Sequence, residues 1–218
     1  MGRFIEIPGT YLAEIAEESD RIPRLYYDGN HLLRRMFWQR LYCLNRLMNR
    51  CLETHGSCLD FGGGAGVLLP TLANNFRKVT LVDLEARQAE LVKRRYNLDN
   101  VEIVQADAGS LDFRAAAFDA AVAADVLEHF QDVSVPIRLL GDWTRRGGML
   151  FTSLPTENHV YVFLRKVFGV EKPWDHYHTG YEVEAQLERC GFTRIKTTCV
   201  PLHFPVAALF LITAWRRE

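Results

Sequence analysis

Glycines stand at 62, 63, 64 and 66 in the run Cys58-Leu-Asp-Phe-Gly-Gly-Gly-Ala-Gly66, with Asp60 just before them. Such a run turns the backbone sharply and lets a ligand approach where a Cβ would collide. A helix opening behind it adds free N–H groups and a partial positive charge, worth about 0.3–1 kcal/mol at an exposed site. Spacing separates the folds that share such loops. The dinucleotide fingerprint G-x-G-x-x-G, begun at Gly62, needs a glycine where Val67 stands. The phosphate loop needs a Gly-Lys pair, which occurs nowhere in the chain. Two further acids close later apolar runs. Asp83 ends VTLVD, about 20 residues past the first glycine, where a carboxylate can accept both hydroxyls of a ribose. Asp107 ends EIVQAD, placed to accept from an adenine amine, with the Ala108 N–H nearby for a ring nitrogen. Three acids at successive strand ends repel a pyrophosphate and favour a nucleoside carrying positive charge.

The elements that must hold these residues follow from periodicity. The runs SCLDF, KVTLVDL, NVEIVQA, FDAAVAA and GGMLFTSL have strand length. Helix-period stretches separate them: VLLPTLANNF, EARQAELVKRRYNL and a longer one from about Val126 to Arg145. Strands alternating with helices imply βαβ units and a parallel sheet covered on both faces. Then the rhythm changes. Thr179-x-x-Glu182 reads as a capping box and Gly191 as a C′ residue, giving a helix over about 180–190. TRIKTTCV and ALFLITAW follow as an antiparallel pair. The expected fold is α/β, a Rossmann-like doubly wound, mostly parallel seven-stranded sheet with an antiparallel C-terminal edge hairpin.

Two segments stand outside that alternation. Residues 31–52 place Leu33, Phe37, Leu41, Leu44, Met48 and Cys51 on one helical stripe, and carry Arg34, Arg35, Arg40, Arg46 and Arg50 with no acid. Residues 155–179 carry Val160, Phe163, Leu164, Val167 and Phe168 at helical spacing, beside the strand ends where open α/β sheets bind ligands. The expected organisation is an N-terminal helical cap over 1–55 and a Rossmann-like domain over 56–218, with a helical lid at about 155–179.

The loop and its acids resemble those of class I S-adenosylmethionine-dependent methyltransferases, strongly over about 56–154 and more loosely over 179–217. The stretch Asp125-Val-Leu-Glu-His129 looks like the D/E-x-L-E-H turn of their small-molecule members, with those of ubiquinone and menaquinone biosynthesis nearest. The resemblance implies that Asp60, Gly62, Gly64 and Gly66 shape the methionine pocket, that Asp83 holds the ribose and that Asp107 holds the adenine amine. Gly63, Leu84, Ala108, Ala124 and Asp125 join them as cofactor neighbours. It also implies S-adenosylmethionine as cofactor and S-adenosylhomocysteine as product.

Methyl transfer from a sulfonium is an in-line displacement, so the protein must hold nucleophile and methyl at roughly 3–3.5 Å and exclude water. A hydroxyl or acidic carbon acceptor also benefits from a base. His129, His176 and His178 are the candidates to touch substrate or take its proton, with Tyr177 and Tyr181 as rivals. His176 and His178 have i, i+2 spacing without a clear carboxylate set, so no metal is expected. Arg34, Arg35 and Arg40, with the aromatic insert (Tyr161, Phe163, Phe168, Trp174), point to a lipid-like or anionic small acceptor and to contact with a membrane surface.

Composition sets the outer bounds. The 218 residues are 48% apolar and carry net charge −1, against a strongly basic nucleic-acid footprint. Ala124-Asp-Val-Leu stands where amino-methyltransferases of nucleic acids carry [DNS]-P-P-[YF]. Five cysteines without C-x-x-C spacing read as thiols of a reducing compartment, and no secretory signal pattern is visible, so the expected location is the cytoplasm. The competing readings are a nucleic-acid methyltransferase and a cofactor-binding protein without turnover.

Overall fold

A computed structural model describes residues 2–17, 22–27, 30–168, 175–201, 204 and 208–218. Trp174 and His203 lie outside the described residues, as does the side chain of Phe168. The elements run α1 (Gly9–Ala16), α2 (His31–Cys51), β1 (Ser57–Phe61), α3 (Leu69–Asn75), β2 (Lys78–Asp83), α4 (Arg87–Arg95) and β3 (Val101–Gln105). They continue with β4 (Phe118–Ala124), α5 (Ser134–Trp143), β5 (Thr144–Pro155), α6 (His159–Phe168), α7 (Gly180–Arg189), β6 (Phe192–Val200) and β7 (Phe210–Arg217).

The seven strands lie in the order β3-β2-β1-β4-β5-β7-β6. The first five are parallel, and β7 runs antiparallel between β5 and β6. This is the expected Rossmann-like sheet with its antiparallel hairpin. Alternate strand residues feed opposite cores, as the two-residue period requires. Cys58, Leu81, Val122 and Phe151 pack with Leu41, Leu44 and Met48 of α2 and Leu72 of α3. Leu59, Val82, Ala121 and Leu150 pack with Ile137 and Leu140 of α5 and Leu187 of α7. Helix α2 thus covers one face of the sheet. At α7 the Thr179–Glu182 capping box forms, and Gly191 takes the left-handed conformation at φ +88°.

Three expectations need correction. The single helix over Val126–Arg145 is instead a 3-10 turn, Leu127–His129, then α5, and β5 already begins at Thr144. Pro136 is tolerated only near a helix start, and the Asp132 carboxylate accepts from Ser134 N at 2.9 Å to define that start. The helix behind the glycines starts at Leu69, so its N-terminus is not directly at Gly66. In α6 the stripe is displaced: Val160, Tyr161 and Leu164 pack inward, while Phe163 and Val167 are exposed. The spacing of five apolar residues allowed either half of that stripe to face in.

Candidate functional site

The parallel strands aim their carboxyl ends at one edge, which gathers the acids. Asp60 is buried at the end of β1, and its Oδ2 has no hydrogen-bond partner among the described residues. Burial first, and the Asp83 charge second, push its carboxyl up to about 7. Asp83 is anchored from both sides: Gly64 N donates to Oδ2 at 2.8 Å and Glu85 N to Oδ1 at 3.0 Å. Each oxygen keeps a lone pair for a hydroxyl. Leu84 beside it is exposed. Asp107 is exposed and accepts from Gly109 N at 2.7 Å, capping the 3-10 turn Ala108–Ser110. The cap uses one lone pair and leaves others outward.

The glycines divide into two kinds. A Cβ on Gly63 would lie 2.6 Å from Asp60 Oδ2, so the protein's own packing demands glycine there. A Cβ on Gly64, at φ +52°, would meet nothing among the described residues nearer than Asp83 Oδ2 at 4.0 Å. Its left-handed backbone therefore borders open space beside the Asp83 carboxylate. The orphaned Asp60 oxygen and this open position suit a ligand bearing hydroxyls and positive charge.

Ala124 ends β4, and Asp125 follows at φ +53°, a conformation Asp tolerates better than most residues. Asp125 N donates to Ser153 O at 2.8 Å, and Ser153 Oγ donates to Asp125 Oδ1 at 3.1 Å. Arg40 Nη2 lies 2.5 Å from Asp125 Oδ2. The expectation that Arg40 faces a membrane is therefore corrected: its side chain is 3% exposed. Its guanidinium sits 3.9 Å from the Phe37 ring centre and donates to the Tyr26 hydroxyl at 2.9 and 3.0 Å. The signal was present, since Arg40 lies three residues after Phe37 and four before Leu44, on the apolar stripe.

Beyond Asp125 opens a cavity of about 310 Å³, lined among others by Arg40, Glu128, His129, Tyr161, Arg165 and His176. His129 Nδ1 is 2.9 Å from Asp175 Oδ2, and its ring meets the His176 ring edge-on at 4.7 Å. Burial lowers the His129 pKa, with the Asp175 charge opposing. His176 Nδ1 donates to Glu157 Oε1 at 3.1 Å, and Arg165 Nη2 donates to Glu157 Oε2 at 2.6 Å. Glu128 is fully buried with both oxygens unpartnered among the described residues, and burial holds its carboxyl well above the ordinary range. Burial likewise pushes the Tyr161 phenol up, which disfavours it as a base.

His178 does not join the other two histidines. Its Nε2 donates to Gln131 O at 3.1 Å, and it does not line the cavity. Tyr177 and Tyr181 are exposed. Sequence reasoning missed Glu128, Glu157, Arg165 and Asp175. Glu128 lay inside the D-x-L-E-H stretch and Asp175 beside His176, but Glu157 and Arg165 carried no local signal.

The comparisons agree with this architecture. Residues 59–152 match a family model described as a methyltransferase domain. Those residues therefore carry a methyltransferase domain, similar to the class I S-adenosylmethionine-dependent enzymes that act on small molecules. It is 36% identical over 97 residues to a ubiquinone biosynthesis O-methyltransferase of Methylocella silvestris, covering 44% of this chain and 38% of that protein. It is 42% identical over 62 residues to a probable ribosomal RNA small subunit methyltransferase A of Thermococcus sibiricus, covering 28% and 23%. The matched segments thus span well under half of either relative. The fold is similar to that of magnesium protoporphyrin IX methyltransferase from Synechocystis PCC 6803 with bound S-adenosylhomocysteine: TM-score 0.70, 19% identity, 96% of this chain and 99% of that one.

Proposed function

We propose that this protein binds S-adenosylmethionine at the β1–β4 edge and transfers its methyl group to a small amphipathic acceptor. One observation carries the acceptor class. The cavity that holds the charged side chains beyond Asp125 shares Leu25, Phe37, Tyr161, Arg165 and Phe210 with an apolar groove of about 60 Å³ that adds Leu33, Met36, Leu164 and Leu209. A polar head beside an apolar channel fits a molecule with a reactive oxygen or nitrogen and a hydrocarbon body. The curated relative named for ubiquinone biosynthesis supports the same class.

When bound, the sulfonium supplies an activated methyl and a good leaving group. On this reading, Asp83 accepts from the ribose hydroxyls and Asp107 from the adenine amine. Asp60 lies beneath the glycine loop, where a bound cation would favour the ionised form of its carboxyl, and Gly64 leaves room for the methionine moiety. Arg165 Nη1, buried without a partner among the described residues, is available to an acceptor oxygen. His129 and His176 are the cavity's candidates to receive the acceptor's proton. Among the described residues no helix is long and apolar enough to cross a membrane. The proposed location is the cytoplasm, with Arg34 and Arg35 as the remaining candidates for touching a membrane surface.

Calorimetry with S-adenosylmethionine and S-adenosylhomocysteine tests the cofactor half, and absence of binding to either sinks it. A mass-shift screen of a cell extract for products 14 Da heavier tests turnover, and binding without any product favours a cofactor-binding protein that does not catalyse. Acceptors with longer alkyl bodies should show lower KM, and indifference to chain length removes the amphipathic assignment.

A further inference from the structure

Glu128, His129 and His176 converge in the cavity so that one ligand atom from each lies within 4.8 Å of the others. We propose that these three side chains hold a divalent transition-metal ion of the zinc type. Two imidazoles and one carboxylate form a donor set of intermediate softness, suited to first-row divalent ions. A second and independent observation points the same way: the fully buried Glu128 carboxylate has two oxygens and no partner for either among the described residues. Leaving such a group unpaired is costly, and a cation would offset that cost.

The outer partners are also in place. Glu157 accepts from Nδ1 of His176 at 3.1 Å, and Asp175 stands 2.9 Å from Nδ1 of His129. A carboxylate accepting from Nδ1, as Glu157 does at His176, orients the ring, selects the tautomer with a free Nε2 lone pair and raises its basicity, while Asp175 places a negative charge beside His129. Glu128 backbone O accepts from Tyr177 N at 2.9 Å, which ties the 3-10 turn to the segment bearing His176. Tetrahedral ligation at zinc–nitrogen distances of about 2.0–2.1 Å needs ligand atoms about 3.3 Å apart. From separations of up to 4.8 Å, the three groups would draw together by as much as about 1.5 Å through side-chain rotation. The sequence suggested only the His176–His178 pair, and the structure replaces His178 by His129 and adds the missing carboxylate. With three protein ligands the ion keeps a position open toward the cavity, and while it is bound His129 and His176 act as ligands and not as proton acceptors. That this position takes an acceptor oxygen rests on the methyltransferase reading, whereas binding of the ion does not.

The test uses the full chain, dialysed against a chelator and titrated with Co2+ without cofactor or acceptor. Visible absorption should develop to one equivalent, and the melting temperature should rise with added metal. The absorption should be lost in His176→Ala and in Glu128→Gln. Asp175→Asn should retain it with affinity about 10- to 100-fold weaker. Failure of the folded wild-type chain to take up cobalt overturns the proposal. So does equal uptake by His176→Ala and Glu128→Gln, or an intense near-ultraviolet thiolate band placing the ion on a cysteine. Because no methyl transfer is measured, failure here leaves the cofactor reading to its own calorimetry.

Discussion

The two halves of the proposed site, one for the cofactor and one for the acceptor, are built in opposite ways. On the cofactor side, Asp60, Asp83 and Asp107 sit at or just after the ends of adjacent parallel strands. Asp83 and Asp107 are steadied by backbone N–H groups within a few ångströms. On the acceptor side, the charged groups come from α2, the turn after β4, the segment around α6 and the approach to α7. There the side chains hold one another: Arg40 with Asp125, Arg165 and His176 with Glu157, and His129 with Asp175. Local backbone steadies the first group of acids, while the cavity depends on pairs between segments distant in sequence.

That contrast makes Arg40 the most damaging target. Arg40→Ala leaves Asp125 without its cation and Tyr26 without its donors, and should cost about 3 kcal/mol of unfolding free energy in urea titrations. Asp125→Asn in the same chain should restore part of the loss. Loss below about 0.5 kcal/mol would mean that the pair is not what joins α2 to β4.

The cofactor side contains one buried acid whose effect can be read by pH. Asp60 has a folded-state value of about 7, above the ordinary 3.8, so the folded chain keeps a proton that the unfolded chain releases first. Its contribution to stability is therefore complete below about pH 4 and falls as pH rises toward 7. The slope is at most about 1.4 kcal/mol per pH unit. Asp60→Asn should flatten that part of a denaturant-midpoint profile, and an unchanged profile would show that burial does not perturb this carboxyl.

Asp83→Ala should weaken S-adenosylmethionine binding at least tenfold, about 1.4 kcal/mol, with a smaller change in stability. Equal losses from Asp83→Ala and Arg40→Ala in both measurements would erase the distinction between the halves. The smallest effect belongs to the outer face of α2. Replacing Arg34 and Arg35 by Gln should change stability by less than about 0.5 kcal/mol, yet reduce retention on anionic vesicles at low salt. Equal retention removes the membrane assignment.

Most of the scaffold, and the placing of the glycine loop and the acids at the strand ends, were legible in the chain itself. Alternation of strand-length and helix-length apolar runs identified the sheet, and Thr179, Glu182 and Gly191 marked α7. The acids were readable because a parallel strand and the turn after it are consecutive in sequence. Even there, packing refined the picture: Gly63 answers to Asp60, whereas Gly64 borders the open space. Arg40 illustrates what local pattern misses. The sequence groups it with Arg34 and Arg35 as a residue for membrane contact, because its partner Asp125 follows a strand distant in sequence.

Side-chain type and short-range spacing were thus enough for the fold, the glycine loop and the three strand-end acids, since each depends on neighbours within a few residues. Which histidines meet, which arginine is buried and where Glu128 is left without a partner depended on chain closure. Those facts arise from contacts between segments far apart in sequence, and hydrophobic periodicity records only that a residue faces inward, not what it meets there.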